Sequence, residues 1–215
     1  MANVSLLMAE LKDQFFRKRM IKKIAKKEKF LILICGLPGT GKTTIARKLY
    51  ENLNQYVLIS QNDVRREMGM KRMTKTQEKV LRAVDCLIAR GLGSGQGVIS
   101  ESVNRHSFRR QQIYGVASAL GRRVIVLEIV CSEETAKERI LSRPRKDGLV
   151  SDPNDPAVYN KSKSFWEDVE IDFKFPGEDH VAYLQFDSEK NKLRRIITRR
   201  GMGVFLSQIE KIMRT

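Results

Sequence analysis

The sequence predicts an α/β protein in which a mostly parallel β-sheet is covered by helices on both faces. The first observation is a continuous apolar run at residues 30–35, FLILIC, which is typical of a strand buried on both of its faces. The second is an alternation of short apolar runs with stretches of helical periodicity. This alternation favours parallel strands joined by right-handed helical crossovers. We therefore expect a three-layer sandwich with about five parallel strands wrapped by helices.

The strands and helices of this sheet can be placed along the chain. The predicted strands are residues 30–35, 57–60, 98–99, 124–129 and 181–186, and the predicted helices lie near 43–52, 75–89, 108–120 and 132–141. Residues 144–175 are rich in Pro, Gly, Asp and Ser and show no clean period. We expect that stretch to be a mobile, loop-rich lid, with the lid region extending over about residues 139–170.

The N-terminal 29 residues differ from the rest of the chain. Apolar residues fall near helical spacing on one side, and basic residues fill the other side. The apolar residues are Leu7, Leu11, Phe15, Ile21 and Ile24. We predict a basic amphipathic helix over 1–29 that packs on a single domain spanning 30–215, and binding of this helix to a membrane surface is the less favoured role. A length of 215 residues suits one domain, at roughly 100–200 residues each.

The chain carries a formal net charge of +16, and the excess is concentrated in two clusters. The first consists of Arg17, Lys18, Arg19, Lys22, Lys23, Lys26, Lys27 and Lys29, and the second of Lys190, Lys192, Arg194, Arg195, Arg199 and Arg200. Clustered cations gain affinity for phosphates through counterion release, so a nucleic acid or another polyphosphate is a candidate partner. A solvated basic surface explains the net charge equally well.

Composition also argues against several classes of protein. No apolar run approaches the roughly 20 residues that span a bilayer, and the N-terminus lacks the apolar stretch of a secretory signal. The three cysteines, at 35, 86 and 131, lie among apolar neighbours, which favours reduced core residues over a disulfide or a metal site. The two histidines, at 106 and 180, lack metal-ligand spacing. We expect a cytoplasmic protein, and nothing in the sequence indicates its oligomeric state.

Residues 36–43, GLPGTGKT, match the phosphate-binding pattern G-x-x-x-x-G-K-[ST] and lie between a predicted strand and a predicted helix. Glycines let the backbone fold around a phosphate, and the following helix directs the positive end of its dipole at the same oxygens. Lys42 is expected to reach the β- and γ-phosphates, and the Thr43 hydroxyl to ligate Mg²⁺. The predicted nucleotide-binding residues of this loop are Gly36, Gly39, Thr40, Gly41, Lys42, Thr43 and Thr44. The motif therefore predicts binding of a nucleoside triphosphate with Mg²⁺.

Three further places complete a pattern over about residues 30–170. Residues 60–65, SQNDVR, follow the second strand; residues 99–104, ISESVN, follow the third; and two arginines follow the fourth. In order and spacing, the four places resemble the small P-loop kinases: phage-type polynucleotide 5′-kinases, zeta-toxin kinases, adenylylsulfate kinase, seryl-tRNA kinase and AAA-type predicted kinases. The resemblance implies a P-loop NTPase fold, ATP as the phosphate donor, Mg²⁺ as the cofactor and a hydroxyl-bearing acceptor.

In those kinases an Asp-x-x-Arg motif follows the second strand. Its Asp accepts the proton of the acceptor hydroxyl, and its Arg orients the acceptor or contacts phosphate. Here Arg65 matches, but Asn62 stands at the Asp position and the carboxylate comes one residue later, at Asp63. Successive helical residues point about 100° apart, so Asp63 cannot simply replace Asn62. Either the turn shifts to present Asp63, or another carboxylate serves, or the acceptor is unusual.

After the third strand, the same kinases carry an Asp, a small residue, an Asn and a later Arg. Glu101 takes the Asp position, Asn104 matches, and Arg109 has the right offset. Glu101 is therefore expected to contact Mg²⁺-bound water or the acceptor hydroxyl, and it is the second candidate for the base. In the lid, Arg139 and Arg143 share one helix face, and the resemblance implies that they approach the nucleotide and the transferring phosphate.

Three functions remain open at this point. The first is phosphate transfer to a nucleic-acid hydroxyl, favoured by the basic clusters and by Tyr159, Phe165 and Trp166, aromatic residues in or near the lid that are suited to stack on a base. The second is a kinase of a small metabolite, sugar, nucleotide or antibiotic. The third is a non-catalytic nucleotide-binding protein, which Asn62 keeps open. We favour an enzyme over a binding protein; GTP as the donor remains open beside ATP.

Overall fold

A six-stranded β-sheet runs through the protein. The structure is a computed structural model that describes residues 29–71, 74–143, 154–173 and 180–214, with the backbone alone at 74 and 75. The strands are β1 (Leu31–Cys35), β2 (Tyr56–Ser60), β3 (Gly97–Glu101), β4 (Val124–Val130), β5 (Val181–Asp187) and β6 (Lys192–Ile197). Their order across the sheet is β2-β3-β1-β4-β5-β6. The first five are parallel, and β6 lies antiparallel to β5 at the edge.

Helices follow or connect these strands. They are α1 (Lys42–Asn52), α2 (Gln61–Glu67), α3 (Thr74–Gly93), α4 (Ser107–Ala119), α5 (Glu133–Leu141), α6 (Ala157–Lys163) and α7 (Gly203–Arg214), with a 3₁₀ helix at Val169–Phe173. Helix α1 begins directly after the phosphate-binding motif, at the carboxyl end of β1. Because β1 is flanked by β3 and β4, this motif lies near the middle of the sheet edge.

The sheet separates two apolar layers, and β1 is buried between them. Ile32 and Ile34 face the layer that contains α1 and α7, whereas Leu31 and Leu33 face the layer that contains α3 and α4. All four side chains have no exposed surface. This burial on both faces is the physical reason for the uninterrupted apolar run in the sequence.

The predicted parallel sheet is confirmed, with its five parallel strands in the predicted places. Strand β6 and helix α7 are not predicted from the sequence. The β6 sequence, KLRRII, is half basic, so it lacks the apolar pattern of the other strands. Basic side chains suit an edge strand, since they discourage pairing with a strand of another molecule.

The segment expected to be a loop-rich lid contains more regular structure than predicted. In its described part, residues 154–173, the chain forms α6 and the 3₁₀ helix. Residues 144–153 lie outside the described residues. The predicted helix at 1–29 also lies outside them, apart from Lys29, whose Nζ donates to the carbonyl of Asn54 at 2.9 Å. That helix and its basic cluster therefore stay a prediction.

The cysteines do not all behave as core residues. Cys35 is buried as expected, but Cys86 on α3 is exposed and Cys131 is partly exposed. The prediction is wrong for Cys86 because that residue falls on the outer face of a long helix. Within the described ranges, no helix is long and apolar enough to cross a membrane.

Arg110 of α4 forms a fully buried ion pair with Asp172 of the 3₁₀ helix. Its Nε and Nη2 donate to the two carboxylate oxygens at 2.7 and 2.9 Å, and the Tyr114 hydroxyl donates to the same carboxylate at 2.8 Å. The remaining bonds of the guanidinium go to the carbonyls of Asn104, Arg105 and Asp168. A buried charge needs this degree of pairing, because an unpaired one is very costly. Burial and the negative charge of Asp172 raise the pKa of Tyr114.

Removing one member of this pair is expected to destabilise the fold strongly. Arg110→Ala leaves Asp172 buried without its partner, so the free energy of unfolding should fall by about 3–5 kcal/mol in urea denaturation. The control is Arg82→Ala, which removes an ion pair with Glu78 whose side chains are 77% and 70% exposed. It should change the free energy by less than about 1 kcal/mol. Equal losses in the two variants would contradict a structural role for the buried pair.

Candidate active site

The loop between β1 and α1, which we call the phosphate loop, lies so close to the backbone of β4 and α5 that side chains are excluded at two glycines. A Cβ atom on Gly36 would lie 2.3 Å from the carbonyl oxygen of Ile129, and one on Gly39 would lie 2.2 Å from that of Ala136. Both glycines also have positive φ angles, 139° and 86°, which residues with side chains rarely adopt. Two of the three predicted loop glycines, Gly36 and Gly39, are therefore required because a side chain would clash with the backbone of β4 or α5. The loop ends at Gly41, the N-cap of α1.

Two side chains close the loop on itself. The Lys42 Nζ and the Thr40 hydroxyl both donate to the carbonyl oxygen of Leu37, at 2.7 and 2.9 Å. Lys42 is buried, with 8% of its surface exposed. Its ammonium group therefore lies inside the curve of the loop, where a phosphate-binding lysine is expected.

Burial lowers the pKa of Lys42 from 10.5 to about 8. The positive charge of Arg143 adds to this lowering, and the negative charge of Glu101 opposes it. Desolvation is the largest cause of the lowered pKa. A buried ammonium group loses hydration that its neighbours do not fully replace, so its charged form is disfavoured. A bound polyphosphate would supply the missing negative charge.

Glu101 lies beside the first turn of α1. It ends β3, where its Cα pairs with Ile34 of β1 on one side and with Ser60 of β2 on the other. Its side chain is 4% exposed, and its Oε1 accepts from the Thr43 hydroxyl over 3.4 Å, a long distance for such a bond. A hydroxyl and a carboxylate are ligands that Mg²⁺ prefers, so this pair fits the ion. Thr44, the next residue of α1, is exposed.

Arg139 of α5 contacts the phosphate loop through a serine. Its Nη1 and Nη2 donate to the hydroxyl and the carbonyl of Ser188 at 2.8 and 3.3 Å, and the Ser188 hydroxyl donates to the carbonyl of Thr40 at 2.8 Å. Arg143 comes just after α5. Desolvation lowers the pKa of Arg143 and the charge of Glu101 raises it, so Arg143 lies within electrostatic reach of the same site. The two predicted lid arginines therefore both lie near the loop.

The residues predicted after β2 lie on α2 and have different surroundings. Asn62 and Asp63 are exposed, and the Asp63 carboxylate forms an ion pair with Arg66 on the same helix. Arg65 is buried, and its Nη2 donates to Gln77 of α3. Because both residues are helical, Asn62 and Asp63 leave the axis of α2 about 100° apart. The structure thus brings Lys42, Thr43 and Glu101 together, while the contacts of Asp63 and Arg65 lie within α2 and on α3.

The loop after β3 forms hydrogen bonds with the phosphate loop and with the end of β1. The Gly36 N–H donates to the carbonyl of Val103 at 3.2 Å, and the Asn104 Nδ2 donates to the carbonyl of Ile34 at 3.2 Å. Asn104 is buried and has a φ of 46°, a conformation in which Asn is enriched. Arg109, whose offset matches the later Arg of the resembling kinases, forms a two-bond ion pair with Asp85 of α3 at 2.7 and 2.8 Å.

The neighbouring Arg110, which sequence reasoning missed, is the arginine that bonds the Asn104 carbonyl at 3.1 Å. A signal was present, because Arg110 precedes Ile113, Tyr114 and Ala117 at helical spacing. An arginine on the buried face of a helix indicates a buried ionic partner.

A parallel sheet with a glycine-rich loop, an internal lysine and an adjoining threonine and glutamate defines a P-loop nucleotide-binding α/β protein. Residues 31–164, more than half of the chain, match the model of the AAA domain family AAA_33, and the chain belongs to this family. The match ends before β5, so β5, β6 and α7 lie beyond it. No curated protein sequence matches the chain significantly.

Several solved structures are similar to this fold. Kti12 of Chaetomium thermophilum, solved with ADP-AlF3, shares 28% identity with a TM-score of 0.51 over 64% of this chain and 80% of its own. A candidate kinase from Chloroflexus aurantiacus shares 24% identity with a TM-score of 0.58, over 84% of this chain and 97% of its own. A sugar kinase from Janibacter sp. shares 14% identity with a TM-score of 0.55, over 85% and 91%. Family and fold are those of small P-loop kinases, which supports a nucleotide-binding phosphotransferase as the general class.

The lowered pKa of Lys42 predicts that triphosphate binding takes up a proton near pH 8. In the free protein Lys42 is charged below about pH 8 and becomes neutral above it, whereas bound phosphates favour the charged form and raise its pKa. Affinity should therefore be full below pH 8 and fall as the pH rises through that value. Calorimetry of a non-hydrolysable ATP analogue, in two buffers of different ionisation enthalpy at pH 8, should show uptake of up to about half a proton.

The control for this experiment is Lys42→Met, which removes the titrating group. Any residual binding by this variant should take up no proton near pH 8. Equal proton uptake by the wild type and the variant would assign the titration to another group. At pH 6.5, where Lys42 is charged before binding, the difference in proton uptake between the wild type and Lys42→Met should vanish, because proton exchange by the phosphate itself is common to both.

Proposed function

We propose that this protein transfers the γ-phosphate of ATP to a hydroxyl group in a Mg²⁺-dependent reaction. The observation that carries the proposal is the convergence of Lys42, Thr43 and Glu101 on one loop, with Arg139 beside it. Phosphoryl transfer needs positioning and neutralisation of charge more than covalent chemistry, and these residues can supply both.

The triphosphate would occupy the loop between Gly36 and Thr43. Backbone N–H groups and the N-terminus of α1 are positioned to bind its oxygens, and Lys42 already donates into the curve of the loop. The similarity to Kti12, which was solved with ADP-AlF3, supports an adenine nucleotide as the ligand. The lowered pKa of Lys42 favours a bound polyphosphate at this loop, whatever its base, because the desolvated ammonium group lacks a full counter-charge.

Thr43 and Glu101 would hold Mg²⁺, which when bound neutralises phosphate charge and orients the transferred group. Arg139 is held at the loop by Ser188, and Arg143 adds positive charge on the same side. Arginine stabilises the charge that develops on the transferring phosphoryl group, and this contribution to the rate is often large. The lid arginines are therefore proposed to act on the transition state.

The acceptor hydroxyl would approach from α2. The family base position holds Asn62, and the Asp63 carboxylate is engaged by Arg66. We propose that the carboxylate of Glu101 serves the metal and that the acceptor proton leaves with little help from a base. Base assistance is typically worth 10²–10⁴-fold, so a slow but real transfer is expected.

A nucleic-acid hydroxyl is the proposed acceptor, because the chain carries a net charge of +16. The C-terminal basic cluster lies on and beside β6, at the opposite edge of the sheet from β2 and α2. Five strand spacings of about 4.8 Å separate the two edges by about 24 Å. A nucleic-acid polymer can contact both edges at once, whereas a small acceptor bound near α2 would not contact the basic cluster on β6.

The first test offers γ-labelled ATP and Mg²⁺ to 5′-hydroxyl RNA, 5′-hydroxyl DNA and a metabolite pool in parallel. Label should appear on an oligonucleotide, and Lys42→Ala should abolish transfer. The matched control is Arg47→Ala, which removes an exposed positive charge from the same helix and should leave transfer intact. Label on a small molecule would make the protein a metabolite kinase. Full activity of Lys42→Ala would overturn the site, and ATP binding without transfer would favour a non-catalytic role.

A second test exchanges the carboxylate between neighbouring positions of α2. Asn62→Asp restores an acid at the family base position and is expected to raise kcat for the labelled acceptor. Asp63→Asn removes the carboxylate that pairs with Arg66 and should change kcat little. A collapse of activity in Asn62→Asp would show that Asn62 has a role of its own. A collapse in Asp63→Asn would make Asp63 the base.

A further inference from the structure

An exposed aromatic ring lies under an arginine beside the loop that follows β3. Phe165 is 53% exposed, and the guanidinium of Arg105 lies over its ring, 5.2 Å from the centroid. We call this pair the Arg105–Phe165 platform. An exposed phenylalanine is unremarkable by itself, but this one is held in a specific place and keeps an accessible surface.

Both sides of the platform are fixed by hydrogen bonds through Glu167. Its N–H donates to the carbonyl of Arg105 at 2.9 Å, and its carboxylate accepts from the N–H of Ser107 at 2.7 Å and contacts His106 Nδ1 at 3.1 Å. The Arg105 Nε in turn donates to His106 Nε2 at 3.0 Å. The arginine that covers the ring is therefore attached to the segment that carries the ring.

A buried ion pair holds the same two segments from inside. Arg110 donates to the carbonyls of Arg105 and Asp168 at 3.2 and 3.1 Å while it pairs with Asp172. The Arg110 guanidinium lies over the Trp166 ring, 5.9 Å from its centroid, and Trp166 packs against the core. The platform is thus rigid on its inner side and exposed on its outer side, which lowers the entropic cost of binding a ligand there.

The position of the platform associates it with the acceptor. The loop 102–106 continues from Glu101, and the Ser102 hydroxyl donates to Gln61 at the start of α2. The same loop bonds the beginning of the phosphate loop through Val103. Ser188 and Arg139, in contrast, lie next to the other end of the phosphate loop. The Arg105 half of the platform therefore continues from the loop that contacts α2, the side from which the acceptor would approach. Phe165 follows α6, whose Lys163 pairs with Glu133 of α5, so the platform lies between these two parts of the site.

We propose that the Arg105–Phe165 platform binds an unpaired nucleobase of a single-stranded nucleic-acid acceptor. This inference rests on the proposed function and specifies its substrate class. The exposed ring supplies a surface for stacking, and Arg105 supplies a planar cation for the base or its phosphate. Of the three aromatic residues that the sequence suggested for stacking, Tyr159 is buried and Trp166 packs inward, so Phe165 is the one with an exposed ring.

The chemistry around the ring favours a base over a sugar. A sugar stacked on an aromatic ring needs hydrogen-bond acceptors for its hydroxyl groups. The carboxylate that hydrogen-bonds the Arg105 segment is that of Glu167, and its two oxygens already bind His106 and Ser107. Among the residues that the structure describes, the group placed over the ring is the Arg105 cation, which matches a phosphate-linked base.

The experiment compares two ligands of equal charge in the full-length protein, without nucleotide or Mg²⁺. One is a short oligothymidylate, and the other is an abasic oligomer of the same length; both carry a fluorophore, and binding is followed by anisotropy. Phe165→Ala should weaken oligothymidylate binding by about 5- to 100-fold and leave the abasic oligomer nearly unchanged. The basic clusters affect both ligands alike, so they cancel in the comparison.

Matched variants separate stacking from changes in the fold. Tyr50→Ala removes an aromatic ring of similar exposure, 48%, from α1 and should affect neither ligand. Phe165→Leu keeps an apolar side chain without a π-face and should behave like Phe165→Ala, whereas Phe165→Trp should retain binding. Arg105→Lys keeps the charge but loses the planar group, so it should weaken oligothymidylate binding more than abasic binding.

The outcomes distinguish this inference from the proposed function. Equal affinity of the wild type for the two oligomers, or equal loss of both in Phe165→Leu, would overturn the platform. Titration with a fluorescent ATP analogue tests the nucleotide site separately, and all Phe165 variants should bind it like the wild type. Transfer of phosphate to a metabolite, with no preference for oligothymidylate, would refute the platform and leave the kinase intact.

Discussion

The close contact between the phosphate loop and two backbone carbonyls determines the geometry of the site. At Gly36 and Gly39 the loop lies against the end of β4 and the first turn of α5, with no space for a methyl group. The curvature of the loop follows from this contact, and it brings the Lys42 ammonium group to the Leu37 carbonyl. Because α5 forms one wall of the loop, it also delivers Arg139 to the Thr40 carbonyl through Ser188. The positions of Lys42 and Arg139 at the phosphate loop are thus both consequences of this close backbone packing.

The other half of the site depends on the loop after β3. This loop bonds the phosphate loop through Val103 and Asn104, and its own carbonyls are held by Arg110. The Arg110–Asp172 pair therefore connects the 3₁₀ helix, which follows α6, with the loop after β3 that borders the nucleotide site. A network of this kind fixes relative positions within a low-dielectric interior, where each polar group needs a partner. The two ends of the site are consequently rigid for different reasons, close backbone contact at one and buried charge at the other.

The sheet and the nucleotide loop could be predicted from sequence because their signals are local. Burial on both faces gives an uninterrupted apolar run, and a phosphate loop needs glycines at fixed spacing. The partners of Arg109 and Arg110 could not be predicted, since Asp85 and Asp172 are far away in the chain. Strand β6 escaped prediction because an edge strand with three basic residues has no apolar period. The departure of Asn62 from the family motif is visible in the sequence, whereas the ion pair of Asp63 with Arg66 is seen in the structure.

Helix α7 lies beyond the segment that matches the family, yet it covers the layer that contains α1. Phe205 stacks on Phe30 at 4.5 Å and on Tyr56 at 5.9 Å, and the carbonyl of Met213 accepts from Lys48 of α1 at 3.2 Å. This helix is translated after every strand that it packs against. During synthesis, the apolar layer that contains α1 therefore lacks part of its cover until α7 leaves the ribosome. Chaperone engagement of that layer, or early nucleotide binding, would have its greatest influence on the folding yield in this interval.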